Sequence, residues 1–325
     1  MRALALFSGG LDSMLSVLII RKQGIVVEGV YFETPFFPAE RAKRSAKEID
    51  LPLKIKDVTY EMLEIIKSPK FGYGKGLNPC LDCRLLMLKK ACKMREEENY
   101  NFIITGEVIG QRPLTQKKQM FLKLDKECPC REYIVRPLSA RLLPQSLPEK
   151  QGLIKREKLF SIQGRSRREQ IGLAEIFGIK DYPSPAGGCL LTDKGFSFRL
   201  KDLLEYKKEI LDRDLYLLKI GRHFRLNKNT KVIVGRNKKE NFMLLKLSTT
   251  NDVLIHVVDY PAPIVLVPDG GDIKGRLIAK QLAASYSDAP KGKVVKIEIK
   301  KGKDVKIEEI QVLPKQLFRN YLIQC

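Results

Sequence analysis

The start of the chain combines a short apolar segment, a glycine turn and an amphipathic segment, and this order restricts the fold more than any other feature. Residues 2–7 predict a buried strand, and Leu11–Lys22 predicts a helix because its leucines and isoleucines recur at helical spacing before Gly24. The alternation then continues, with strands predicted at 25–32, 53–58 and 102–105 and helices at 39–49 and 81–98. We therefore expect an α/β fold with a doubly wound parallel sheet.

The pattern of predicted elements changes twice after this region, and we therefore predict three parts. Residues 1–135 form the α/β domain, and residues 136–212 form an irregular linker region because prolines are frequent there. Residues 213–325 form a smaller α+β domain, in which a helix at 272–287 accompanies several strands. These strands are predicted at 231–234, 253–258, 264–267, 294–299 and 305–312.

The composition favours a polyanionic partner. The 325 residues include 60 Lys and Arg against 38 Asp and Glu, a formal net charge of +22 that suits nucleic acid. No apolar run reaches the roughly 18–20 residues that a membrane helix needs, and the first residues lack a signal-peptide pattern. We therefore expect a cytoplasmic protein without membrane contact, whose seven cysteines are metal ligands, redox groups or buried thiols rather than structural disulfides.

The glycine turn between the first strand and the first helix predicts a phosphate site. Backbone N–H groups and the helix dipole converge at such a turn, and Gly9 and Gly10 allow the backbone to approach a phosphate closely. Ser8 and Ser13 add hydroxyl donors, whereas Asp12 beside phosphates is suited to bind Mg²⁺. The alternative is that Asp12 only caps the helix.

The hexapeptide Ser8–Ser13, SGGLDS, resembles the SGGxDS motif of the PP-loop ATP pyrophosphatases, which split ATP into AMP and pyrophosphate while adenylating a substrate. The resemblance implies that Ser8, Gly9, Gly10, Asp12 and Ser13 hold the pyrophosphate and Mg²⁺. It also implies that the end of the second strand, including Phe32, lies beside the adenine. A further segment, TGEVIGQ, is similar to the TGE-x-x-GQ segment of the 4-thiouridine synthetase branch, which implies that its Thr105 and Gly106 line the nucleotide and the acceptor base.

Three cysteines predict a sulfur or metal site. Cys80 and Cys83 stand about one turn apart at a predicted helix start, and Cys189 lies in a glycine-rich loop that leaves its thiol accessible. The pattern NPC-x-x-C with a distant Gly-flanked Cys is similar to that of tRNA 2-thiouridylases, where two cysteines face the acceptor base. Two chemistries fit: the three thiolates bind a [4Fe–4S] cluster with one open iron, or one cysteine carries a persulfide that a second resolves. Because a persulfide route needs only two thiols, we favour the cluster, with Cys80 and Cys189 as catalytic residues.

The remaining cysteines have weaker predictions. Cys128 and Cys130 flank a proline, and they could complete a four-cysteine zinc site with the first two cysteines. This alternative would leave Cys189 unexplained. Cys92 is expected to be a buried helix residue and Cys325 a frayed terminus, and neither receives a role.

Two basic regions predict contact with RNA. Residues 155–168 carry six cations and one anion among apolar side chains, and from this segment we select Arg165, Arg167 and Arg168 as RNA contacts, the alternative being a solvated helix face. Near the C-terminus, the VIVGRN segment and the residues after it resemble the NFACT-R RNA-binding domain over about 100 residues. The resemblance implies that Arg236 of the Gly-Arg-Asn turn binds RNA.

Together these features predict an ATP-dependent tRNA sulfurtransferase that adenylates a uridine carbonyl and replaces its oxygen with sulfur. The cofactors implied are Mg²⁺ and the cluster, with ATP as co-substrate. The partners implied are tRNA and either sulfide or a sulfur source such as a carrier protein or cysteine desulfurase, and a homodimer is compatible with the sequence. Two alternatives stay open at this point: a PP-loop enzyme that adenylates a small molecule, and tRNA thiolation through a persulfide without a cluster.

Overall fold

The computed structural model describes residues 1–112, 115–184 and 188–324. The chain divides into two compact units, Met1–Thr192 and Asp193–Cys325. The segment predicted as a linker contributes to both, since its residues 136–192 lie in the first unit and its residues 193–212 in the second. Among the described residues, no helix is both long and apolar enough to cross a membrane.

The first unit is built on a five-stranded, entirely parallel sheet with the strand order β3-β2-β1-β4-β5. The strands are β1 Arg2–Leu6, β2 Val26–Glu33, β3 Leu53–Asp57, β4 Phe102–Thr105 and β5 Ile134–Val135. This topology confirms the predicted parallel α/β sheet. The strand order reverses between the neighbours β1 and β4, which lie inside the sheet. Open α/β sheets bind ligands at the carboxyl ends of the strands where such a reversal occurs.

The helices of the first unit connect and flank these strands. They are α1 Leu11–Arg21, α2 Glu40–Glu48, α3 Thr59–Lys67, α4 Cys80–Glu97, α5 Lys118–Lys126, α6 Leu147–Lys150 and α7 Arg168–Ile176. The core is closed by alternate strand side chains and by the apolar face of α1, with Leu11 and Leu15 fully buried. The irregular segment after β5 adds Leu159 and Ile162 to the same core.

The second unit is a separate α+β structure, as predicted. Its six-stranded antiparallel sheet has the order β11-β10-β8-β9-β7-β6. The strands are β6 Arg222–Asn227, β7 Thr230–Val234, β8 Val253–Val257, β9 Val265–Val267, β10 Val294–Lys301 and β11 Asp304–Gln311, and the helices are α8 Lys194–Tyr206, α9 Asp212–Leu217, α10 Lys238–Leu247 and α11 Ile273–Tyr286. Helix α11 packs its buried alanines against the sheet. Asp202 ties α8 to the sheet by accepting hydrogen bonds from Arg225 and Lys231 at 2.8 Å.

Candidate functional site

The glycine turn after β1 has the geometry of an anion-binding loop. Gly9 has a φ of +70°, and a Cβ on it would lie 2.7 Å from the Cα of Ala42, so only glycine fits. Gly10 caps α1 without a side-chain hydrogen bond, which excludes the alternative that Asp12 is the helix cap. The N–H of Ser13 donates to the carbonyl of Gly10 at 3.0 Å, so at the start of α1 the N–H groups of Leu11 and Asp12 are the ones that the helix leaves for an anion.

One carboxylate oxygen of Asp12 accepts a hydrogen bond, and the other has no hydrogen-bond partner. Its Oδ2 accepts a hydrogen bond of 2.7 Å from Nε2 of Gln111, whereas its buried Oδ1 has no partner. Burial raises the pKa of Asp12, and the hydrogen bond from Gln111 and the charges of Arg167 and Arg112 act in the opposite direction. A buried carboxylate oxygen without a partner suits a metal ion that would supply the missing positive charge.

The end of β4 approaches the glycine turn closely. Leu6 of β1 pairs with Thr105 of β4, and a Cβ on Gly106 would lie 2.5 Å from the backbone N of Ser13. Thr105 is buried and donates a hydrogen bond to Glu107 at 3.0 Å. The predicted nucleotide segments therefore lie side by side because their strands are neighbours in the sheet.

Phe32, which we predict beside the adenine, lies near the end of β2 and is 3% exposed. In the sheet, Phe32 pairs with Lys56 of the parallel neighbour β3. The residue before it, Tyr31, donates hydrogen bonds to the carbonyl oxygens of Phe37 and Pro38 at 3.1 and 3.2 Å. These contacts fix the chain that follows β2, and the contact of Phe32 with adenine stays a prediction.

Two arginines act on Asp12, and a third arginine acts on both of them. Arg112 and Arg167 both interact electrostatically with the Asp12 carboxylate, and Arg41 interacts with the same two arginines. Burial, and then the charge of Arg112, lower the pKa of Arg41. Sequence reasoning missed Arg41 and Arg112, although Arg112 directly follows the TGEVIGQ segment. Such a concentration of cations favours a polyphosphate.

The fold brings the three predicted cysteines together. Cys80 begins α4, Cys83 follows one turn later, and each is partly exposed, as is Cys189. Cys83 interacts electrostatically with both Cys189 and Cys80, and Cys189 interacts with Cys80. Leu190 N–H donates to the carbonyl of Phe36 at 3.0 Å, and Leu77 N–H donates to the carbonyl of Leu191 at 3.1 Å. The first bond holds the Cys189 segment against the chain that follows β2, and the second holds it beside the loop that leads into α4.

One arginine, Arg112, acts electrostatically on both the thiols and the glycine turn. Burial raises the pKa of all three cysteines, that of Cys189 to about 11. Arg112 opposes this shift at Cys80, and the same guanidinium acts on Asp12. Arg112 therefore lies within electrostatic reach of both the phosphate-type turn and the thiols. The structure thus joins two features that the sequence places far apart.

The other described cysteines form a second group. Cys92 in α4 is 1% exposed, which confirms it as a buried helix residue. It is bonded to Cys130 in a disulfide, and its Sγ lies 3.2 Å from that of Cys128. The alternative of a zinc site that joins Cys128 and Cys130 to Cys80 and Cys83 is therefore wrong, because helix α4 presents Cys92 to them instead. The expectation that the cysteines avoid disulfides is also wrong for this pair, and Cys325 lies outside the described residues.

The predicted basic segment is not a helix face. Only Arg156–Lys158 is helical before α7 begins at Arg168, so the cations stand on an irregular chain whose apolar residues fill the core. Arg165 and Arg168 are exposed, as an RNA contact requires, whereas Arg167 is half-buried and interacts with Asp12. Arg167 is therefore within electrostatic reach of the glycine turn, and contact of the three arginines with RNA stays a prediction.

Arg236 in the second unit stabilises the turn in which it lies. Its Nε donates to the carboxylate of Glu240 at 2.9 Å, and its backbone N–H donates to the same carboxylate. Asn237 caps α10 by accepting from the N–H of Glu240 at 2.9 Å. A Cβ on Gly235 would lie 2.0 Å from Oδ1 of Asn241, so a side chain there would displace the amide that accepts from the N–H of Ile264 at 3.2 Å. An RNA contact by Arg236 stays a prediction.

Comparison with known proteins confirms a resemblance for the α/β sheet region and one for the second unit. Residues 1–138 match a family described as "Thiamine biosynthesis protein (ThiI)", and residues 221–321 match one described as "NFACT protein RNA binding domain". A "Probable tRNA sulfurtransferase" of Thermoanaerobacter sp. (strain X514) is 31% identical over 121 residues, which cover 34% of this chain and 30% of that protein. One of the same description from Clostridium acetobutylicum is 27% identical over 146 residues, which cover 42% of this chain and 36% of that protein. The chain thus spans about a third of the length of the curated relatives it matches.

One solved structure, described as a predicted subunit of tRNA methyltransferase from Methanocaldococcus jannaschii, is 18% identical. The match covers 54% of this chain and 76% of that chain with a TM-score of 0.35.

Proposed function

We propose that the protein is an ATP-dependent tRNA sulfurtransferase. The observation that carries the proposal is the position of Arg112, which acts electrostatically on both Asp12 of the glycine turn and Cys80 of the cysteine group. A carbonyl oxygen is a poor leaving group until it is adenylated, so the replacement of oxygen by sulfur needs ATP and a sulfur site at one place. The similarity of residues 1–138 to the ThiI family supports the same assignment.

The glycine turn and its arginines would bind ATP. Ser8, Gly9, Gly10 and Ser13 and the first N–H groups of α1 receive the pyrophosphate end, and Oδ1 of Asp12 binds Mg²⁺ together with phosphate oxygens. The arginines that surround Asp12 neutralise phosphate charge, which increases as the α-phosphate is attacked.

The reaction has two steps. The carbonyl oxygen of the base attacks the α-phosphorus of ATP, the bond to the β-phosphate breaks, and pyrophosphate leaves. A sulfide sulfur then adds to the activated carbon, the carbon–oxygen bond breaks, and AMP leaves with the former carbonyl oxygen. No electrons are gained or lost when the donor is sulfide. The base must be unstacked from its neighbours to reach the site.

Cys80, Cys83 and Cys189 would hold a [4Fe–4S] cluster. Three soft thiol ligands within mutual electrostatic reach fit a cluster with three protein ligands, and their partial exposure fits access for a base. When bound, the cluster supplies an iron with an open position for sulfide. The protein's own contribution is to hold the Cys189 segment in register with α4 through the backbone bonds of Leu190 and Leu191.

The RNA contacts would come from two places. Arg165 is exposed on the chain that leads into α7, and Arg168 is exposed at the first residue of α7; both are close in sequence to Arg167, which we place at the ATP site. The second unit resembles an RNA-binding domain over residues 221–321, and the net charge of +22 fits a polyanionic substrate.

Release of pyrophosphate from ATP tests the proposal. We expect release to depend on Mg²⁺ and to increase when unmodified tRNA is added, whereas tRNA that already carries the thiolated base has no effect. Arg112→Gln is expected to reduce the rate about 100-fold, since it removes one charged contact to the transferring phosphoryl group. The matched control is Arg131→Gln, at an exposed arginine in a 3₁₀ turn, and its rate should equal that of the wild type. Release that tRNA does not increase would contradict the assignment and favour a small-molecule substrate.

A further inference from the structure

The first unit contains a second cysteine group that the proposed reaction does not use. Cys92 lies in α4, and Cys128 and Cys130 follow α5. The three residues are 1%, 4% and 3% exposed. All three Sγ atoms lie within 4.8 Å of one another. Among the described residues, no other group of three His, Cys, Asp or Glu side chains has its ligand atoms this close together.

The three sulfurs lie close enough together to reach one metal ion once the disulfide between Cys92 and Cys130 is opened. Zinc binds thiolate sulfur at about 2.3 Å in tetrahedral geometry, which places the sulfurs about 3.8 Å apart. An iron–sulfur cube attaches its thiolates to different irons, so their sulfurs lie farther apart than at a single ion. A disulfide uses only two cysteines, yet the Cys128 Sγ also lies 3.2 Å from the Sγ of Cys92. The thiol of Cys128 is thus part of the group although it is not in the disulfide.

The surroundings of the group hold more positive than negative charge. Arg136 and Lys89 interact electrostatically with Cys128, as does Arg84, whereas the carboxylate of Asp125 acts in the opposite direction. Asp125 is itself paired with Arg136, whose Nη2 donates to it at 2.7 Å. Three thiolates and one divalent cation carry one net negative charge, which the remaining cations offset.

We propose that reduced Cys92, Cys128 and Cys130 bind one Zn²⁺ ion, whose fourth ligand is water. The Cys92–Cys130 disulfide is the oxidised, metal-free form of the same group. A thiol or phosphine reductant converts one form into the other by giving two electrons to the disulfide, which yields two thiols. The three thiols then release their protons to solvent as the metal binds. Because Cys92 lies in the helix that begins at Cys80, the ion would fix α4 and thereby the start of the cysteine site.

The test measures zinc in the full chain. A background variant, Cys80→Ser/Cys83→Ser/Cys189→Ser, removes the thiols of the proposed reaction so that they cannot contribute metal. After anaerobic reduction, addition of Zn²⁺ and desalting, we expect about one zinc per chain, and Co²⁺ in its place should give thiolate-to-cobalt charge-transfer absorption. Adding Cys128→Ala should abolish both signals. That variant keeps Cys92 and Cys130, so its oxidised form can still close the disulfide and its folding can be checked by thermal unfolding.

The control is Cys325→Ala in the same background, which removes a cysteine outside the group and should keep the zinc. Two results would overturn the proposal: the reduced background variant binds no zinc, or the Cys128→Ala variant binds as much zinc as the background. The first result leaves a simple disulfide as the role of this group. The proposed sulfurtransferase activity depends on other cysteines and is therefore tested separately.

Discussion

Nε2 of Gln111 donates a hydrogen bond of 2.7 Å to Oδ2 of Asp12, across 99 positions of the sequence. Gln111 in turn lies 3.4 Å from Nε2 of Gln170, which is fully buried in α7. The bond orients the Asp12 carboxylate so that Oδ2 is occupied and Oδ1 is left without a partner. A metal ion bound by Asp12, as proposed, would therefore have this one oxygen as its ligand from Asp12.

Replacing Asp12 by Asn keeps the size of the side chain and removes its charge. We expect Asp12→Asn to lower pyrophosphate release at least about 100-fold, because an amide is a poor ligand for Mg²⁺ and does not balance the surrounding arginines. Binding of tRNA, measured by filter retention, should not change. Asp50→Asn, at an exposed loop position with a positive φ that Asn tolerates well, is the matched control. Full turnover by Asp12→Asn would refute the metal role.

The close approach at Gly106 predicts that even one methyl group is harmful. A Cβ there would lie 2.5 Å from the backbone N of Ser13, so Gly106→Ala must displace the start of α1. We expect a loss of about 1–3 kcal/mol in the free energy of unfolding and a weaker affinity for a non-hydrolysable ATP analogue, measured by calorimetry. Gly172→Ala in α7 meets nothing within 4 Å and should instead stabilise by about 0.5–1 kcal/mol. Equal ATP affinity in both variants would show that the spacing does not matter for binding.

Arg167 and Arg168 are neighbours with different environments, and their variants should separate ATP binding from RNA binding. Arg168→Glu is expected to weaken tRNA binding and to reduce the slope of log affinity against log salt by about one. Arg167→Gln should raise the KM for ATP, since Arg167 interacts with Asp12. Lys150→Glu, at an exposed lysine in α6, controls for the change in net charge. The assignment fails if the two arginine variants have the same effects.

Acid should weaken the first unit through Glu28. This carboxylate accepts from Arg2 at 2.6 Å and from Tyr100 at 2.8 Å, and Arg2 holds its pKa at about 2. Because the folded pKa lies below the ordinary value of 4.5, the stabilisation is complete above pH 4.5 and is lost as the pH falls toward 2. We expect Glu28→Gln to have a lower Tm than the wild type at pH 7, with the difference shrinking below pH 4.5. Glu209→Gln, at an exposed position, should show no such convergence.

Iron content tests the ligand set independently of turnover. After anaerobic reconstitution we expect about four irons per wild-type chain, as a [4Fe–4S] cluster requires. Cys189→Ala should lose most of this iron, whereas Cys128→Ala should keep it, because Cys128 belongs to the other cysteine group. A Cys189→Ala protein with its full iron content would exclude Cys189 as a ligand.

The regular elements were predictable where apolar periodicity was strong. The strand predicted at 102–105 is β4 without change, and the helix predicted at 81–98 is α4 at Cys80–Glu97. The sequence does not predict β5, because this strand has only two residues. It does not predict α5 either, because the frequent prolines on both sides of this helix indicate irregular structure. Short or mixed segments of this kind are defined by packing against neighbours and not by their own pattern.

The candidate site was predictable in its motifs but not in its connections. SGGLDS and the NPCLDC segment identify the turn and two of the cysteines, whereas nothing in the sequence links Arg41 or Arg112 to Asp12. The sequence does not predict the Cys92 group for the same reason. Cys92 lies in α4, far in sequence from Cys128 and Cys130, and the fold alone brings the three residues together. Contacts between residues far apart in sequence depend on the strand order, which the motifs do not encode.

The most direct test of the central claim is a single anaerobic incubation of the full chain with ATP, Mg²⁺, sulfide and unmodified tRNA. The tRNA is then digested to nucleosides and analysed by mass spectrometry. We predict a nucleoside in which one sulfur replaces one oxygen, formed by the wild type and by Arg131→Gln and lost in Asp12→Asn and Cys189→Ala. Formation of AMP and pyrophosphate without any thionucleoside, by a protein that holds its iron, would contradict the account.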